Sequence, residues 1–215
     1  TIFALNVTEL THAPVITRDF HGLVHGNVQV PFPAIDNDAP AAVNRERTRQ
    51  ALDRVEHILK ANAAETVAIV LEPLQGAGGH RAAEKEFFQG LSRLAHQYDV
   101  FLGLDEVQTA GGQTGEFFMV DQLDLPHPPQ AIASGKKLGN GVIYMLYPME
   151  DEGVLDSTWG GTLADMVRFV QELQIVRDDL AEYEDFCRFR QVAADYARLS
   201  VEETGLTRTQ WLEAL

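Results

Sequence analysis

Three stretches decide the fold: VAIVLEPLQGAGG (Val67 to Gly79), VFLGLDEVQTAGG (Val100 to Gly112) and AIASGKK (Ala131 to Lys137). Each opens on a short aliphatic run without helical spacing and ends in Gly, Pro or a polar cluster. That is the pattern of a buried strand covered on both faces. The polar residues Glu72, Asp105 and Lys136 therefore fall at carboxyl ends. They are spaced about 30 residues apart, roughly one strand-helix-strand unit, so parallel strands would carry all three to one edge of a single sheet. Open α/β sheets bind their ligands at that edge.

The segments between the strands support this order. From Pro40 to Asn62, the residues Thr48, Ala51, Leu52, Val55, Ile58 and Leu59 recur at helical spacing with charges between them, which predicts an amphipathic helix. A second helix is expected over Glu84 to Tyr98, where Phe87, Phe88, Leu91, Leu94, Ala95 and Tyr98 form one apolar stripe. Gly111 to Pro129 reads as loop, with a short helical or strand-like piece around Phe117 to Val120. Gly141 to Pro148 reads as a further strand, and residues 1–35 as strand and loop. After Gly161 the pattern turns helical, with Leu163, Met166, Val167, Val170 and Leu173 on one face. Two more helices are expected near Tyr183 to Ser200 and Arg208 to Leu215. The expected organisation is a large α/β domain over 1–180 followed by a helical segment over 181–215.

Composition narrows the function. A chain of 215 residues with 45% hydrophobic and 23% charged residues can build one sizeable core. A formal charge of -15 and the lack of a basic stripe argue against nucleic acid, whose binding needs clustered Lys and Arg. Lysine is scarce: Lys60, Lys85, Lys136 and Lys137 are the only four, so a Lys pair beside Gly135 at a strand end stands out. Cys187 is the single cysteine, which excludes an internal disulfide and fits a reducing, cytosolic setting. No apolar run approaches about 18 residues. The chain opens at Thr1 on IFALNV, which reads as a strand interior and suggests a fragment or processed product. The seven His residues show no metal-ligand spacing, and GAGG and AGGQTG lack the order of a dinucleotide-binding loop.

The chemistry follows from the pairing of Lys136 with Asp105. A Lys amine made partly neutral by burial and by a neighbouring ammonium, here Lys137, can form a Schiff base. An Asp on the adjacent strand can keep a pyridine nitrogen protonated, the pairing expected of pyridoxal phosphate enzymes. Taken singly, each has a plainer reading. A Lys after Gly is commonly a solvated turn residue, Asp105 and Glu106 a solvated strand-end pair, Glu72 before Pro73 a loop cap, Phe20 core, and Trp159 core or interface packing.

In combination, LEPLQGAGG, LDEVQTAGGQTGEFF, SGKK and STWGGTLADMVR resemble the class III aminotransferases, of the fold type I pyridoxal phosphate superfamily. The likeness covers about residues 17 to 180 and points to the lysine 6-aminotransferase branch, which moves lysine's terminal amine to 2-oxoglutarate. It implies a partial three-layer parallel-sheet domain and pyridoxal 5'-phosphate as cofactor. It implies Lys136 as the Schiff-base lysine and Asp105 as the partner of the pyridine nitrogen. Val107 would pack on one ring face and Phe20 on the other, Gln108 would reach the ring hydroxyl, and Glu72 would support Gln108. Thr158 would contact the phosphate, in this family usually that of the partner subunit, so a homodimer is implied. The implied substrates are a small-molecule amino donor and a 2-oxo acid.

The chain also departs from the family. Leu23 stands where members carry an Arg that can hold a substrate carboxylate, and Ala77 replaces the branch's switch Glu. The N-terminal Gly-Ser phosphate turn and the C-terminal domain are absent from the 215 residues. A catalytically silent relative acting as a binding module is therefore the rival reading. A third keeps the cofactor for an aminomutase or racemase reaction.

Overall fold

The computed structural model describes residues 27–148 and 162–178. The expectations for Phe20, Leu23, Thr158 and Trp159, for the run Ile2 to Val7, and for the two last helices lie outside those residues.

Helix α1 (Ala41–Asn62) buries Asn44, Thr48, Ala51, Val55 and Leu59, a stripe repeating every three or four residues as the sequence predicts. Pro40 precedes the first turn, where its missing N–H costs no helical bond. Asn44 fastens the incoming loop, since its side chain accepts from the Asp36 N–H and donates to the Asp36 carbonyl, both at 3.0 Å. A 3-10 turn at Ala63–Glu65 ends the helix.

Strand β1 (Ala68–Leu71) follows, then a hairpin of two short strands, β2 (Leu74–Gln75) and β3 (Arg81–Ala82). Helix α2 (Lys85–Gln97) packs on α1 through Phe87, Phe88, Gly90 and Leu91. Gly90 allows the close approach: a Cβ on it would lie 2.5 Å from Leu52 Cδ1, so that side chain would have to shift. Phe32 supplies the cover over this cluster, its ring edge-on to Phe87 at 5.8 Å, although the apolar run Val28 to Phe32 forms no strand. Ala34 instead bridges Ala83.

Past α2, Asp99 takes a left-handed conformation (φ 54°) and the chain enters β4 (Phe101–Asp105). The remaining strands are β5 (Ala131–Ser134) and β6 (Val142–Met145), and the sheet order is β1-β4-β5-β6. β4 is parallel to β1, with Leu71 beside Leu104, and parallel to β5, with Asp105 beside Ala133. The ends of the three parallel strands therefore share one edge, as the spacing predicts.

The strand expected after Lys137 is present, and β6 runs antiparallel to β5 with Ser134 opposite Val142. A parallel return needs a crossover of a dozen residues or more, and Gly135 to Gly141 is too short. Cover on both faces holds best for β4, whose Leu102, Gly103 and Leu104 are buried, whereas β1 alternates and leaves Val70 53% exposed.

The chain divides into two compact units, Thr1–Thr162 and Leu163–Leu215. In the second, helix α3 (Leu163–Asp178) carries Leu163, Met166, Val167, Val170 and Ile175 exposed.

Candidate functional site

The residues predicted to carry chemistry emerge from three loops at the carboxyl edge of the sheet. After β1, Glu72 turns back on its own loop and its Oε2 accepts the Gly76 N–H at 3.0 Å. This is the loop-capping contact that the residue type alone suggests. It has a second effect, because Gly76 lies directly under the Gln108 side chain. A Cβ built on Gly76 would meet Gln108 Oε1 at 3.0 Å and Cγ at 3.1 Å. Glu72 thus holds the backbone amide of the residue that lies against Gln108.

After β4, the half-buried Asp105 accepts the Val107 N–H on Oδ1 at 3.0 Å, an Asx turn that starts the next loop. Gln108 follows on that turn and its carbonyl is held by Gln113 Nε2 at 3.0 Å. After β5, Gly135 and a 3-10 turn (Lys136–Leu138) present Lys136, closed by left-handed Gly139. Lys136 itself is left-handed (φ 45°), an unfavourable conformation for a residue with a Cβ. Its Nζ donates to Gln108 Oε1 at 2.5 Å.

Val107 lies over the same turn, its Cγ1 3.6 Å from where a Gly135 Cβ would stand. The stem of Lys137 runs against Gly111, a Cβ of which would lie 3.2 Å from Lys137 Cδ and Leu138 Cδ2. Contacts therefore link Glu72 to Gly76, Gly76 to Gln108 and Gln108 to Lys136, while Asp105 and Val107 sit at the base of the loop that carries Gln108. Phe20 and Thr158, the remaining sequence candidates, are outside the described residues.

The sequence reading underrated Glu106. As a strand-end acid it reads as solvated, yet it is fully buried. Its carboxylate accepts from Thr109 Oγ1 at 2.8 Å, from the Met119 N–H at 2.7 Å and from the Val120 N–H at 2.8 Å. Burial pushes its carboxyl above the ordinary glutamate range against the pull of those three bonds. The available signal was local: a Thr three residues after the Glu is placed to return a hydroxyl to it, and the apolar FFMV run marks where the loop comes back to the core.

Among the described residues, His96 stacks on His127 with centroids 3.7 Å apart, a contact the sequence does not suggest. Among the described residues no group of His, Cys, Asp and Glu could hold a metal ion, and no helix is long and apolar enough to cross a membrane.

An exposed primary amine, a half-buried carboxylate on the adjoining strand, an amide beside the amine and an aliphatic wall form a donor set suited to a cofactor with an aldehyde and a basic ring nitrogen. The amine can bind the aldehyde, the carboxylate can pair with a ring cation, and Val107 can cover a flat face.

Comparison with known proteins gives a consistent picture. The family model for class-III aminotransferases matches residues 2–188. The L-lysine-epsilon aminotransferase of Mycobacterium bovis is 31% identical over 211 residues, covering 89% of this chain and 45% of that protein. The enzyme of the same name from Amycolatopsis lactamdurans is 35% identical over 165 residues, covering 72% of this chain and 36% of the relative. Among solved structures, lysine aminotransferase from M. tuberculosis superposes with a TM-score of 0.73 at 26% identity, over 92% of this chain and 45% of that one. The chain thus spans less than half the length of these relatives.

Proposed function

This chain belongs to the class III aminotransferase family, and we propose that it serves amino-group transfer from a terminal amine, lysine-like in kind, to a 2-oxo acid such as 2-oxoglutarate, with pyridoxal 5'-phosphate as cofactor. The observation that carries the reading is the Lys136 to Gln108 contact at 2.5 Å, made between the loops that follow Asp105 and Ser134 where two parallel strands end. Relatives with the lysine-transaminase name, at 31% and 35% identity, support the choice of donor.

When bound, the cofactor supplies a protonated ring that takes up an electron pair from the carbon bearing the amine. Lys136 Nζ would hold the aldehyde carbon and, once free, move the proton at the carbon that bears the donor's terminal amine. Asp105 would keep the ring nitrogen protonated through its carboxylate. The Gln108 amide would bond the ring hydroxyl, held in place by Glu72 through Gly76. Val107 would pack on one ring face and Phe20 on the other. Thr158 would contact the phosphate of a partner subunit in a homodimer, and the protein would work in the cytoplasm. Its support is the resemblance of STWGG to the family and the single cysteine of the chain.

The test is a two-stage assay. Protein loaded with pyridoxal phosphate is mixed with L-lysine, freed of excess donor and then given 2-oxoglutarate. Formation of glutamate in the second stage, absent from the Lys136→Ala variant, is expected. No glutamate from a cofactor-loaded protein would favour the silent relative.

A further inference from the structure

We propose that Glu106 is a positioning residue of this site: its buried carboxylate clamps the loop from Val107 to Phe118 shut, and the closed loop sets Gln108 against the Lys136 turn. The polar atoms of Glu106 are engaged at both ends of that loop. Its N–H donates to the Ala133 carbonyl at 2.8 Å, which extends the β4–β5 pairing one residue beyond Asp105. Its carbonyl accepts from Thr109 and Ala110, at 3.1 and 2.9 Å, which shapes the turn bearing Gln108. Its carboxylate takes the Met119 and Val120 N–H groups, 13 and 14 residues on, where the loop ends.

The loop so closed bears on Lys136. The Phe117 carbonyl accepts the Gly111 N–H at 2.8 Å, and Gly111 (φ 87°) abuts Lys137 and the fully buried Leu138, the two residues after Lys136. The left-handed Lys136 is thereby braced from the next residues onward, and its amine meets Gln108 from the same loop. Opening the clamp should release both ends of the Lys136 to Gln108 contact.

Glu106 is fully buried. Among the described residues it forms no ion pair, and a buried carboxylate without a cation is costly even when hydrogen-bonded. Burial also raises its carboxyl above the ordinary glutamate range. A buried carboxylate that fixes a loop beside the candidate catalytic amine fits a site held in a set geometry.

This inference rests on the proposed function for its consequence in catalysis, but its first readout does not need the cofactor. The cofactor-free chain is labelled with a trace of acetic anhydride, and acetylation of Lys136 is read by mass spectrometry relative to exposed Lys60 on α1. The wild-type ratio is compared with those of Glu106→Gln and Thr109→Val, and circular dichroism checks that each variant folds. Glu106→Gln should raise the Lys136 to Lys60 ratio about tenfold, the order expected for one lost charge-assisted hydrogen bond. Thr109→Val removes one of the three carboxylate donors and should raise it less. The same variants should bind pyridoxal phosphate more weakly in the same order. Unchanged ratios in both folded variants would overturn the proposal, as would raised ratios with unweakened cofactor binding. If wild type binds no cofactor while the ratios rise, the function proposed above falls and the clamp stands.

Discussion

Lys136 and Gln108, 28 residues apart in sequence, meet at the carboxyl edge of the sheet, where the amine donates to the amide oxygen at 2.5 Å. The contact depends on two parallel strands ending together, on the turn after β5 and on the floor that Gly76 places under Gln108. Each of these supports can be altered separately.

The floor is the most local. Gly76→Ala would put a Cβ 3.0 Å from Gln108 Oε1, and the end of that side chain can move aside. The fold should lose less than about 1 kcal/mol. Affinity for pyridoxal phosphate, measured by absorbance titration, should fall severalfold because the displaced amide is no longer placed to bond the ring hydroxyl. Equal affinity in the variant would show that Gln108 does not depend on Gly76.

The left-handed Lys136 makes a prediction about replacements. Lys136→Gly and Lys136→Ala both remove the amine and should both abolish covalent cofactor attachment. They should differ in stability, since glycine accepts φ 45° without a Cβ penalty and alanine does not. Urea unfolding should find the Gly variant more stable by about 1 kcal/mol. An Ala variant equal to or above it would mean that the turn relaxes.

The α1–α2 contact is tested at Gly90. Alanine has the better helix propensity by about 1 kcal/mol. At this position, however, its Cβ would lie 2.5 Å from Leu52 Cδ1, and overpacking of this kind costs about 1–3 kcal/mol. Gly90→Ala should therefore be net destabilising, and Leu52→Ala in the same chain should recover part of the loss. A double-mutant cycle by denaturant unfolding reads the coupling.

The raised carboxyl of Glu106 fixes the sign of one pH effect. Between the ordinary glutamate value and the raised folded value, the folded chain binds more protons than the unfolded chain at this residue. Its contribution to stability therefore falls as pH rises through that window and is least favourable above it. Glu106→Gln cannot ionise, so its stability measured across weakly acidic to neutral pH should decline less with rising pH than that of wild type. Parallel profiles would place the Glu106 titration equally in both states.

The features that were legible in the sequence were those with a period. Apolar spacing gave α1 and α2 to within a residue or two, and the strand ends placed Glu72, Asp105 and Lys136 on one edge. Direction was not written in the same way, since VIYM reads alike in a parallel or an antiparallel strand; only the short link from Gly135 to Gly141 decides it. The β2–β3 hairpin, with two residues in each strand, is too brief to show alternation. Glu106 escaped because its partners Met119 and Val120 donate from the backbone, and a backbone N–H leaves no mark on residue type. Asp105 and Lys136 were legible as strand-end residues brought to one edge, and the roles expected of them rest on the family-like combination of motifs, since neither stands out alone from a solvated polar residue.

The central claim is that Lys136 carries the cofactor. The direct test is to mix the chain with pyridoxal phosphate, reduce with borohydride, digest, and locate the added mass by tandem mass spectrometry, with Lys136→Ala as control. The account predicts one dominant adduct on Lys136, loss of the visible absorbance on reduction, and neither signal in the control. Adducts spread over Lys60, Lys85, Lys136 and Lys137 alike, or a control that matches wild type, would contradict it.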